Sequence, residues 1–423
     1  MSAVRRAAAK TFEALQVRNF RLYFIGQTIS VSGTWMQSLA QGWLVLQLTG
    51  SGLALGIAVA LQFLPMLLAG TWAGLVIDRS EKRRVLFMTQ GSAGLLALAL
   101  GLIVALGHPE VWEVFLMAFL LGVVNMFDNP ARQSFVQEMV GRDLLPNAVS
   151  LNSVLVNAGR IIGPAIAGVV IAVAGIPACF LVNAASFAAV IVALALMDSR
   201  ELRPIRTVSR QAGQLRAGFR YAFGDETIRS VLIAVGIVGI FAFNFTTSLP
   251  LLVRTTYHGS AATYGAFMAA MGVGAVVGGL TIAHRSRPSV PLLAALCAAF
   301  GILVLAVAIA PTKIVVLILL VPMGAASIAF VSTANATLQL ASHEEMRGRV
   351  MALFSIGFLG STPIGAPLIG AICAWSTPRV GLAVGGAATL IASAVLISLA
   401  RHLEPGRIRQ VALLDEGLAR PSG

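Results

Sequence analysis

Apolar residues of this chain occur in long runs that are separated by short polar stretches. Each run has about 20 residues, the length with which one helix crosses the hydrocarbon core of a bilayer. The pattern therefore predicts an all-α polytopic membrane protein with twelve transmembrane helices, named spans one to twelve here. Their approximate ranges are 22–47, 53–77, 85–107, 112–138, 144–174, 177–197, 230–254, 262–283, 290–311, 313–340, 350–373 and 380–400.

Composition supports lipid as the surrounding solvent. Of the 423 residues, 57% are apolar and 11% are charged, and the mean hydropathy is +0.87. Soluble domains carry about 25% charged residues, so this chain has too few of them to cover a surface in water. The lipid bilayer is thus the first partner that the sequence predicts.

Basic residues collect in alternate polar stretches. With a cytoplasmic N-terminus, nearly all of the 30 Lys and Arg residues lie in cytoplasmic loops and tails, and the opposite loops hold Arg254, Lys313 and Arg379. Because Lys and Arg are retained in the cytoplasm, we expect a multi-pass protein of the inner (cytoplasmic) membrane with both termini cytoplasmic. The net charge of +13 follows this topology and forms no continuous basic stripe, so nucleic acid is not expected as a partner.

The longest polar stretch divides the chain into two halves. It lies between spans six and seven and carries seven arginines. We expect an N-terminal six-helix bundle with a short cytoplasmic N-terminal segment, a basic cytoplasmic linker, a C-terminal six-helix bundle and a cytoplasmic tail. These four segments cover residues 1–197, 198–229, 230–400 and 401–423.

The two halves share a faint repeat at an offset of 202 residues. Two parallel halves of six spans are a transporter architecture, in which substrate binds between the halves near the membrane midplane. Small residues at helix contacts would produce similar matches without a repeat, which is the alternative. The repeat aligns Gly122 with Gly324, Gly163 with Gly365 and Gly168 with Gly370.

Two local motifs carry a family resemblance. Residues 74–84 read GLVIDRSEKRR, and residues 159–168 read GRIIGPAIAG. Together they resemble the major facilitator superfamily, which has a Gly-x-x-x-Asp-Arg signature after span two and, in antiporters, Gly-Pro-x-x-Gly-Gly in span five. The stretches NPARQSFVQEMV and NAGRIIGP resemble the branch of enterobactin exporters and macrolide efflux proteins. The chain departs from these patterns at Glu81 and Ala167, where the superfamily has glycine.

The first motif implies a cytoplasmic gate formed by Gly74, Asp78 and Arg79. In the superfamily the aspartate accepts hydrogen bonds from the exposed N–H groups at the start of span eleven, and this contact closes the cytoplasmic side. The basic residues at 82–84 are interpreted as anchors at the membrane surface.

The second motif comprises Gly159, Gly163, Pro164 and Gly168 in span five. Its glycines offer a smooth face for close helix contact, and Pro164 removes one backbone donor and bends the helix. Simple glycine packing is the alternative, but the spacing favours a functional bend of the antiporter type.

Asp128 is the acidic residue that lies deepest inside a predicted span. An ionisable group at such depth is a functional candidate. Counting ~1.5 Å per residue places Arg160 of span five about 10 Å deeper than Asp128, and the tilt of helical side chains narrows that gap. We therefore predict Asp128, Arg160 and Arg132 as coupling residues. Either Asp128 pairs with Arg160, or it pairs with Arg132, four residues later, as a structural device.

Polar residues recur at steps of three and four along span one and so share one helical face. A face of amides in lipid is costly unless it meets protein or water, so we expect these residues to line a substrate cavity. Shorter polar stripes in spans seven and ten either line the same cavity or form hydrogen bonds between helices. The cavity candidates are Gln27, Thr34, Gln37, Gln41, Asn244 and Asn335.

Other chemistry finds little support. Cysteines and histidines lack metal-ligand spacing and no Walker A motif occurs, so no metal, cofactor or ATP-driven pump is expected. The resemblance implies a secondary active exporter of small amphipathic molecules, of the drug or siderophore type, that works by alternating access and exchanges substrate against protons. The alternative is a facilitator or importer of a small metabolite with the same fold. A membrane enzyme would need a cluster of catalytic groups near the interface, and the sequence shows none.

Overall fold

The structure is a computed structural model that describes residues 12–203, 214–285 and 288–418. Parts of all four predicted segments lie outside the described residues: 1–11 of the N-terminal bundle, 204–213 of the linker, 286–287 of the C-terminal bundle and 419–423 of the tail. The described residues are mostly helical and contain no strand. The predicted all-α fold class is confirmed.

Helices occupy every predicted span. Polar side chains define several helix starts, because Ser51, Asp225, Ser289 and Thr312 each accept a hydrogen bond from the backbone N–H three residues later. Spans one to three are Arg18–Thr49, Gly52–Asp78 and Lys82–Ala105; spans four to six lie in Val111–Ala195; spans seven to twelve are Glu226–Phe241 with Phe245–Leu251, Ala261–Arg285, Val290–Ile309, Lys313–Ala341, Glu344–Phe358 with Thr362–Trp375, and Pro378–Leu418.

Spans four, five and six form one hydrogen-bonded helix of 85 residues, Val111–Ala195. A straight helix of that length would extend roughly 130 Å, several times the thickness of a bilayer. The backbone leaves helical geometry at Gly141 and Gly175, where φ is 76° and 81°. Glycine adopts such positive φ angles without a Cβ clash, so these two residues divide the three spans.

Nine helices in the described part of the chain are long and apolar enough to cross a membrane. Val111–Ala195 counts as one of the nine although it holds three predicted spans. Span one is not among them, because its glutamines, serines and threonines lower its hydropathy. The helices are therefore consistent with the predicted number of twelve.

The glycine pairs of the sequence repeat make equivalent contacts. A Cβ added at Gly122 in span four would collide with the carbonyl oxygen of Gln62 in span two. A Cβ added at Gly324 in span ten would likewise collide with the carbonyl oxygen of Met271 in span eight. Each glycine thus lets its span approach the backbone of the corresponding neighbour.

The second pair behaves in the same way. Gly163 in span five leaves room for the backbone of Ser32 in span one, and Gly365 in span eleven leaves room for that of Ile240 in span seven. Packing of span five on span one is thereby repeated by packing of span eleven on span seven. Chance matching of packing glycines does not account for equivalent partners in both halves.

The third pair joins the two halves of the chain. Gly168 in span five packs on Ala262 in span eight, and Gly370 in span eleven packs on Gly52 in span two. Residues 52 and 262 are the beginnings of spans two and eight, so both contacts lie at the same end of their helices. This end of the molecule is called the sealed end below.

Further contacts close the sealed end. A Cβ at Gly56 would collide with the carbonyl oxygen of Ala366 in span eleven, and the rings of Trp43 and Tyr264 stack with centroids 6.4 Å apart. Span two packs closely on Thr362–Trp375, the part of span eleven nearer the sealed end. It has no comparable packing against Glu344–Phe358, the part of span eleven toward the opposite end. The halves are therefore in contact at the sealed end and apart at the other, which is called the open end.

Two spans are interrupted where the sequence predicted continuous helices. Span seven breaks between Phe241 and Phe245, and span eleven breaks between Phe358 and Thr362. In span seven the N–H of Phe243 bonds back to Val238, five residues earlier, which widens the turn and ends the regular helix. In span eleven Pro363 follows the break and lacks the N–H that would continue the helix.

The linker contains the helix Gln214–Gly224, named the linker helix. Its Tyr221 hydroxyl accepts a 3.1 Å hydrogen bond from the N–H of His343, which immediately precedes span eleven. Phe219 and Phe223 are exposed and stack on each other with ring centroids 4.3 Å apart. The linker helix is thus attached to the start of span eleven.

Candidate functional site

The most polar buried cluster surrounds Asp128 in span four, which is 2% exposed. One carboxylate oxygen, Oδ1, accepts hydrogen bonds from the Thr89 hydroxyl at 2.8 Å and from the Gln90 amide at 2.7 Å, both in span three. The other oxygen, Oδ2, accepts from Nε of Arg132 at 3.1 Å and also from its Nη2 group. Each oxygen therefore has two donors, and the buried charge is paired.

Arg132 extends the cluster to span one. Its Nη1 group donates a 2.7 Å hydrogen bond to the Oε1 oxygen of Gln27, and its side chain is 25% exposed. The guanidinium thus bonds a carboxylate on its own helix and an amide on another. A planar cation with five donors suits this double role.

Three buried polar atoms around this cluster have no hydrogen-bond partner among the described residues. They are the Tyr23 hydroxyl, the Nε2 amide group of Gln27 and the Oε1 oxygen of Gln90. Buried polar groups are normally satisfied, and an exception calls for an explanation. Capacity for additional hydrogen bonds therefore remains on both sides of the Asp128–Arg132 pair.

Arg160, the other predicted partner of Asp128, lies elsewhere. Its Cζ atom stands 5.1 Å from the centre of the Trp35 ring in span one. Its buried Nε group has no partner among the described residues. The structure therefore places Arg132 on Asp128 and does not bring Arg160 to it. Counting residues predicted the depth of Arg160 in the membrane, but it could not predict the direction in which the side chain leaves the helix.

The predicted polar face of span one is largely covered by protein. Gln27 bonds Arg132, and Gln37 accepts a 2.6 Å hydrogen bond from the Asn183 amide of span six. Asn183 in turn accepts a hydrogen bond from the Ser186 hydroxyl at 2.9 Å. Both glutamines are buried, so the structure assigns them to contacts between helices rather than to an open cavity.

The other cavity candidates are dispersed. Thr34 is exposed and donates back to Ser30 in its own helix, whereas Gln41 is buried. Asn244 lies at the break of span seven, where its Oδ1 oxygen is buried and unpartnered within the described residues. Asn335 accepts a hydrogen bond from Gln339 of its own helix. The structure does not gather these side chains into one site.

The gate residues lie at the open end. Asp78 is the last residue of span two, Gly74 lies one turn earlier, and Arg79 is exposed. Asp78 makes no hydrogen bond or ion pair through its carboxylate in the described part of the chain, although its carbonyl oxygen accepts from Lys82 at 3.3 Å. The contact with span eleven that the resemblance implies is therefore not made in this state.

Two of the basic residues read as surface anchors have specific partners. Lys82 forms an ion pair with Glu138, at 3.8 Å, at the end of span four. Arg83 donates to the carbonyl oxygens of Leu194, Ala195 and Met197 at the end of span six. The last carbonyls of a helix lack intrahelical donors, and a cation there is favourable. The loop after span two is thereby fastened to the first half of the chain.

The antiporter motif of span five contacts two different helices. Gly159 and Gly163 face span one, at Val31 and Trp35, whereas Gly168 faces span eight across the sealed end. Backbone angles remain helical at Pro164, so the predicted bend does not interrupt the helix. The motif forms the surface on which span five meets both neighbours.

Sequence reasoning missed Thr89, Gln90 and Asn183. Each is a polar residue within an otherwise apolar run, and such residues in a membrane usually find a partner in the protein interior. A search for partners of Asp128 at matching depth in neighbouring spans would have included Thr89 and Gln90.

No group of three or more His, Cys, Asp and Glu side chains able to hold a metal is found in the described ranges.

Comparison with known proteins is consistent with these features. The family described as "transmembrane secretion effector" matches residues 9–412. The enterobactin exporter EntS of Citrobacter koseri is 26% identical over 403 residues, 94% of this chain and 95% of that protein. The staphyloferrin A transporter of Staphylococcus aureus is 27% identical over 264 residues, 62% of this chain and 66% of that protein.

Solved structures of transporters share the fold. A POT family transporter in complex with 5-aminolevulinic acid has a TM-score of 0.73 at 10% identity and covers 91% of this chain and 96% of that chain. The nucleoside transporter NupG has a TM-score of 0.72 at 12% identity, with 91% and 98% covered. At such low identity the likeness concerns the fold alone. From the family match over nearly its whole length, this chain belongs to the transmembrane secretion effector family of the major facilitator superfamily and is a multi-pass membrane transporter.

Proposed function

We propose that this protein is a secondary exporter of the inner membrane that exchanges a small amphipathic molecule of the siderophore type against protons. Relatives that are named as an enterobactin exporter and a staphyloferrin A transporter support the substrate class. The observation that carries the proposal is the buried carboxylate of Asp128, held by a cation and two neutral donors inside a transporter.

Asp128 is the proposed proton site. A proton that reaches an oxygen of Asp128 converts the carboxylate into a neutral acid and removes its charge attraction to Arg132. The new O–H group is a donor, and Oε1 of Gln90 is an unpartnered acceptor that rotation of the amide brings to it. A proton on Oδ1 therefore lets the acid donate to Gln90, in place of the bond that Gln90 now donates. The bonds from Arg132 to Oδ2 lose their charge attraction and weaken.

Span one transmits this change to the contact between the halves. Gln27, at one end of the span, bonds Arg132, and Trp43 of the same helix stacks on Tyr264 of span eight. These two positions are about 24 Å apart along a helix. When the bonds between Arg132 and Asp128 weaken, the hydrogen bond from Arg132 to Gln27 changes as well. Span one, as a rigid helix, carries the resulting movement of Gln27 to Trp43 at the sealed end.

The described state corresponds to one half of an alternating-access cycle. With both termini in the cytoplasm, the open end faces the cytoplasm and the sealed end faces outward. Substrate enters from the cytoplasm in this state, in which Asp128 is paired with Arg132. Formation of the contact between Asp78 and span eleven then closes the open end, and the sealed end separates.

Transport into vesicles with an imposed pH gradient tests the proposal, with a panel of siderophores and drugs as substrates. Wild type is expected to concentrate its substrate against a gradient, whereas Asp128→Asn performs only downhill exchange. Glu138→Gln is the matched control, because it also changes a buried acid into its amide. If Asp128→Asn still concentrates substrate with normal pH dependence, the coupling role is wrong.

A facilitator or importer is the second candidate function, since the name of one relative gives no direction. Cells that express the protein distinguish the two. Export predicts depletion of a labelled substrate from energised cells, and accumulation of that substrate would overturn the export proposal.

A further inference from the structure

Arg160 is a cation inside a membrane span without an acidic partner. It lies about 25 Å along span five from Asp143, well inside the bilayer by helical rise. Two ion pairs occur among the described residues, Lys82–Glu138 and Arg132–Asp128, and Arg160 belongs to neither. Its buried Nε group has no hydrogen-bond partner there. A charged group at this depth is costly to maintain and marks a functional position.

The guanidinium of Arg160 lies beside an aromatic ring. Its Cζ atom lies 5.1 Å from the centre of the Trp35 ring, a distance at which the ring face attracts a cation. The glycines at 159 and 163 bring Trp35 close, since a Cβ on Gly163 would lie 2.6 Å from the Trp35 Cβ. The first two glycines of the antiporter motif therefore seat the aromatic ring that orients Arg160.

This position is also where the two halves meet. The carbonyl oxygen of Arg160 would lie 3.3 Å from a Cβ on Gly272 in span eight. The backbone of Arg160 thus packs on span eight of the second half, while its guanidinium lies beside Trp35 of span one. A molecule bound to this side chain lies beside the contact between the halves and is placed to respond to their relative movement.

We propose that Arg160 and Trp35 form the subsite for an oxyanion group of the transported molecule, which is therefore an organic anion such as a carboxylate. The inference rests on the proposed export function and adds the charge of the substrate to it. Two oxygens of a carboxylate match the planar donor fork of arginine. Stacking on Trp35 leaves the edge of the guanidinium free for such a ligand.

Matched aromatic probes test the subsite on the purified full-length protein in lipid nanodiscs. Salicylate is an anion, and salicylamide has nearly the same shape without the charge. Calorimetric titration is expected to show that wild type binds salicylate about tenfold more tightly than salicylamide, since a hydrogen bond to a charged group is stronger than a neutral one. In Arg160→Gln this preference disappears.

Arg160→Lys keeps the charge and guards against a folding defect. It is expected to retain the preference for salicylate with severalfold weaker binding, because an ammonium group lacks the fork. Arg200→Gln removes an exposed linker cation and leaves both affinities unchanged. Equal binding of the two probes by wild type, or an intact preference in Arg160→Gln, would overturn the subsite.

The titration needs no pH gradient and is therefore independent of proton coupling. A protein that prefers salicylate but performs no gradient-driven export retains the subsite and loses the export proposal. A protein that exports but binds both probes equally retains the export proposal and loses the subsite.

Discussion

Arg132 donates from Nη1 to the Oε1 oxygen of Gln27 at 2.7 Å, across the boundary between spans four and one. The same guanidinium holds Asp128 on its own helix. A charge change at the carboxylate therefore reaches a second helix through one side chain. Removal of the Arg132 charge is therefore expected to affect stability, and removal of the Asp128 charge is expected to affect transport.

The first prediction concerns stability. Arg132→Gln leaves the buried carboxylate of Asp128 with only the two neutral donors of span three. Loss of one partner of a buried ion pair destabilises by roughly 3–5 kcal/mol. Thermal unfolding of the purified protein at neutral pH should show a clearly lowered midpoint for this variant.

A double variant separates the effect of the unpaired charge from the effect of altered packing. The double variant Asp128→Asn/Arg132→Gln removes both charges and should recover part of the lost midpoint. Arg84→Gln, at an exposed cation near the same membrane surface, should unfold like wild type. A double variant that is less stable than Arg132→Gln alone would contradict the assigned pair.

The second prediction concerns the gate. Asp78→Asn should reduce transport while the protein remains in the membrane, because the carboxylate is proposed to hold the closed state at the open end. Its thermal midpoint should stay near that of wild type, since the described state makes no side-chain contact through Asp78 that the substitution removes. Glu81→Gln, three residues later, is the control. Full transport by Asp78→Asn would show that Asp78 is a surface anchor and not part of the gate.

The third prediction concerns the sealed end. Gly56→Ala places a methyl group against the backbone carbonyl of Ala366, which cannot yield as a side chain can. The variant should hold the sealed end apart and abolish transport. Distances between spin labels at Thr49 and Thr377, both exposed at that end, should increase relative to wild type.

Gly91→Ala in span three is the matched control for Gly56→Ala. No heavy atom lies within 4 Å of a Cβ built there, so the same substitution should leave transport and label distances unchanged. Wild-type label distances in Gly56→Ala would show that the contact does not seal the molecule.

The fourth prediction concerns topology. Epitope tags at either end of the chain should be accessible only from the cytoplasm, because the basic loops and both tails lie on one side in the proposed orientation. Protease protection in spheroplasts measures this. A tag cleaved from outside, at either end, would refute the orientation and with it the direction assigned to the open end.

Helix positions were predictable because every span must be long enough to cross the hydrocarbon core and apolar enough to lie in it. Arg18–Thr49 and Gly52–Asp78 extend the predicted runs by a few residues. The interruptions of spans seven and eleven were not predicted, although Asn244 lies at the first break and Gly360 and Pro363 lie at the second. Hydropathy reports burial in lipid, and it does not record a local change in backbone hydrogen bonding.

The candidate site was predictable in part. The depth of Asp128 and the spacing to Arg132 were visible in the sequence, and the structure joins these residues. The pairing of Asp128 with Arg160, one of the two alternatives, is not made in this state. Residue counting did not decide between them, because it measures position along a helix axis and not rotation about it. The role of Gln37 depended on Asn183, 146 residues away, a relationship that no local pattern contains.

The glycine contacts of the sealed end also bear on conformational entropy. Gly52 meets Gly370, and Gly56 meets Ala366, largely through backbone atoms. Glycine and alanine have no side-chain rotamers to lose when a surface forms. In the proposed cycle, the two halves therefore separate and rejoin here with little reordering of side chains, as two rigid surfaces. Larger residues at these positions would add an entropy change to each opening and closing.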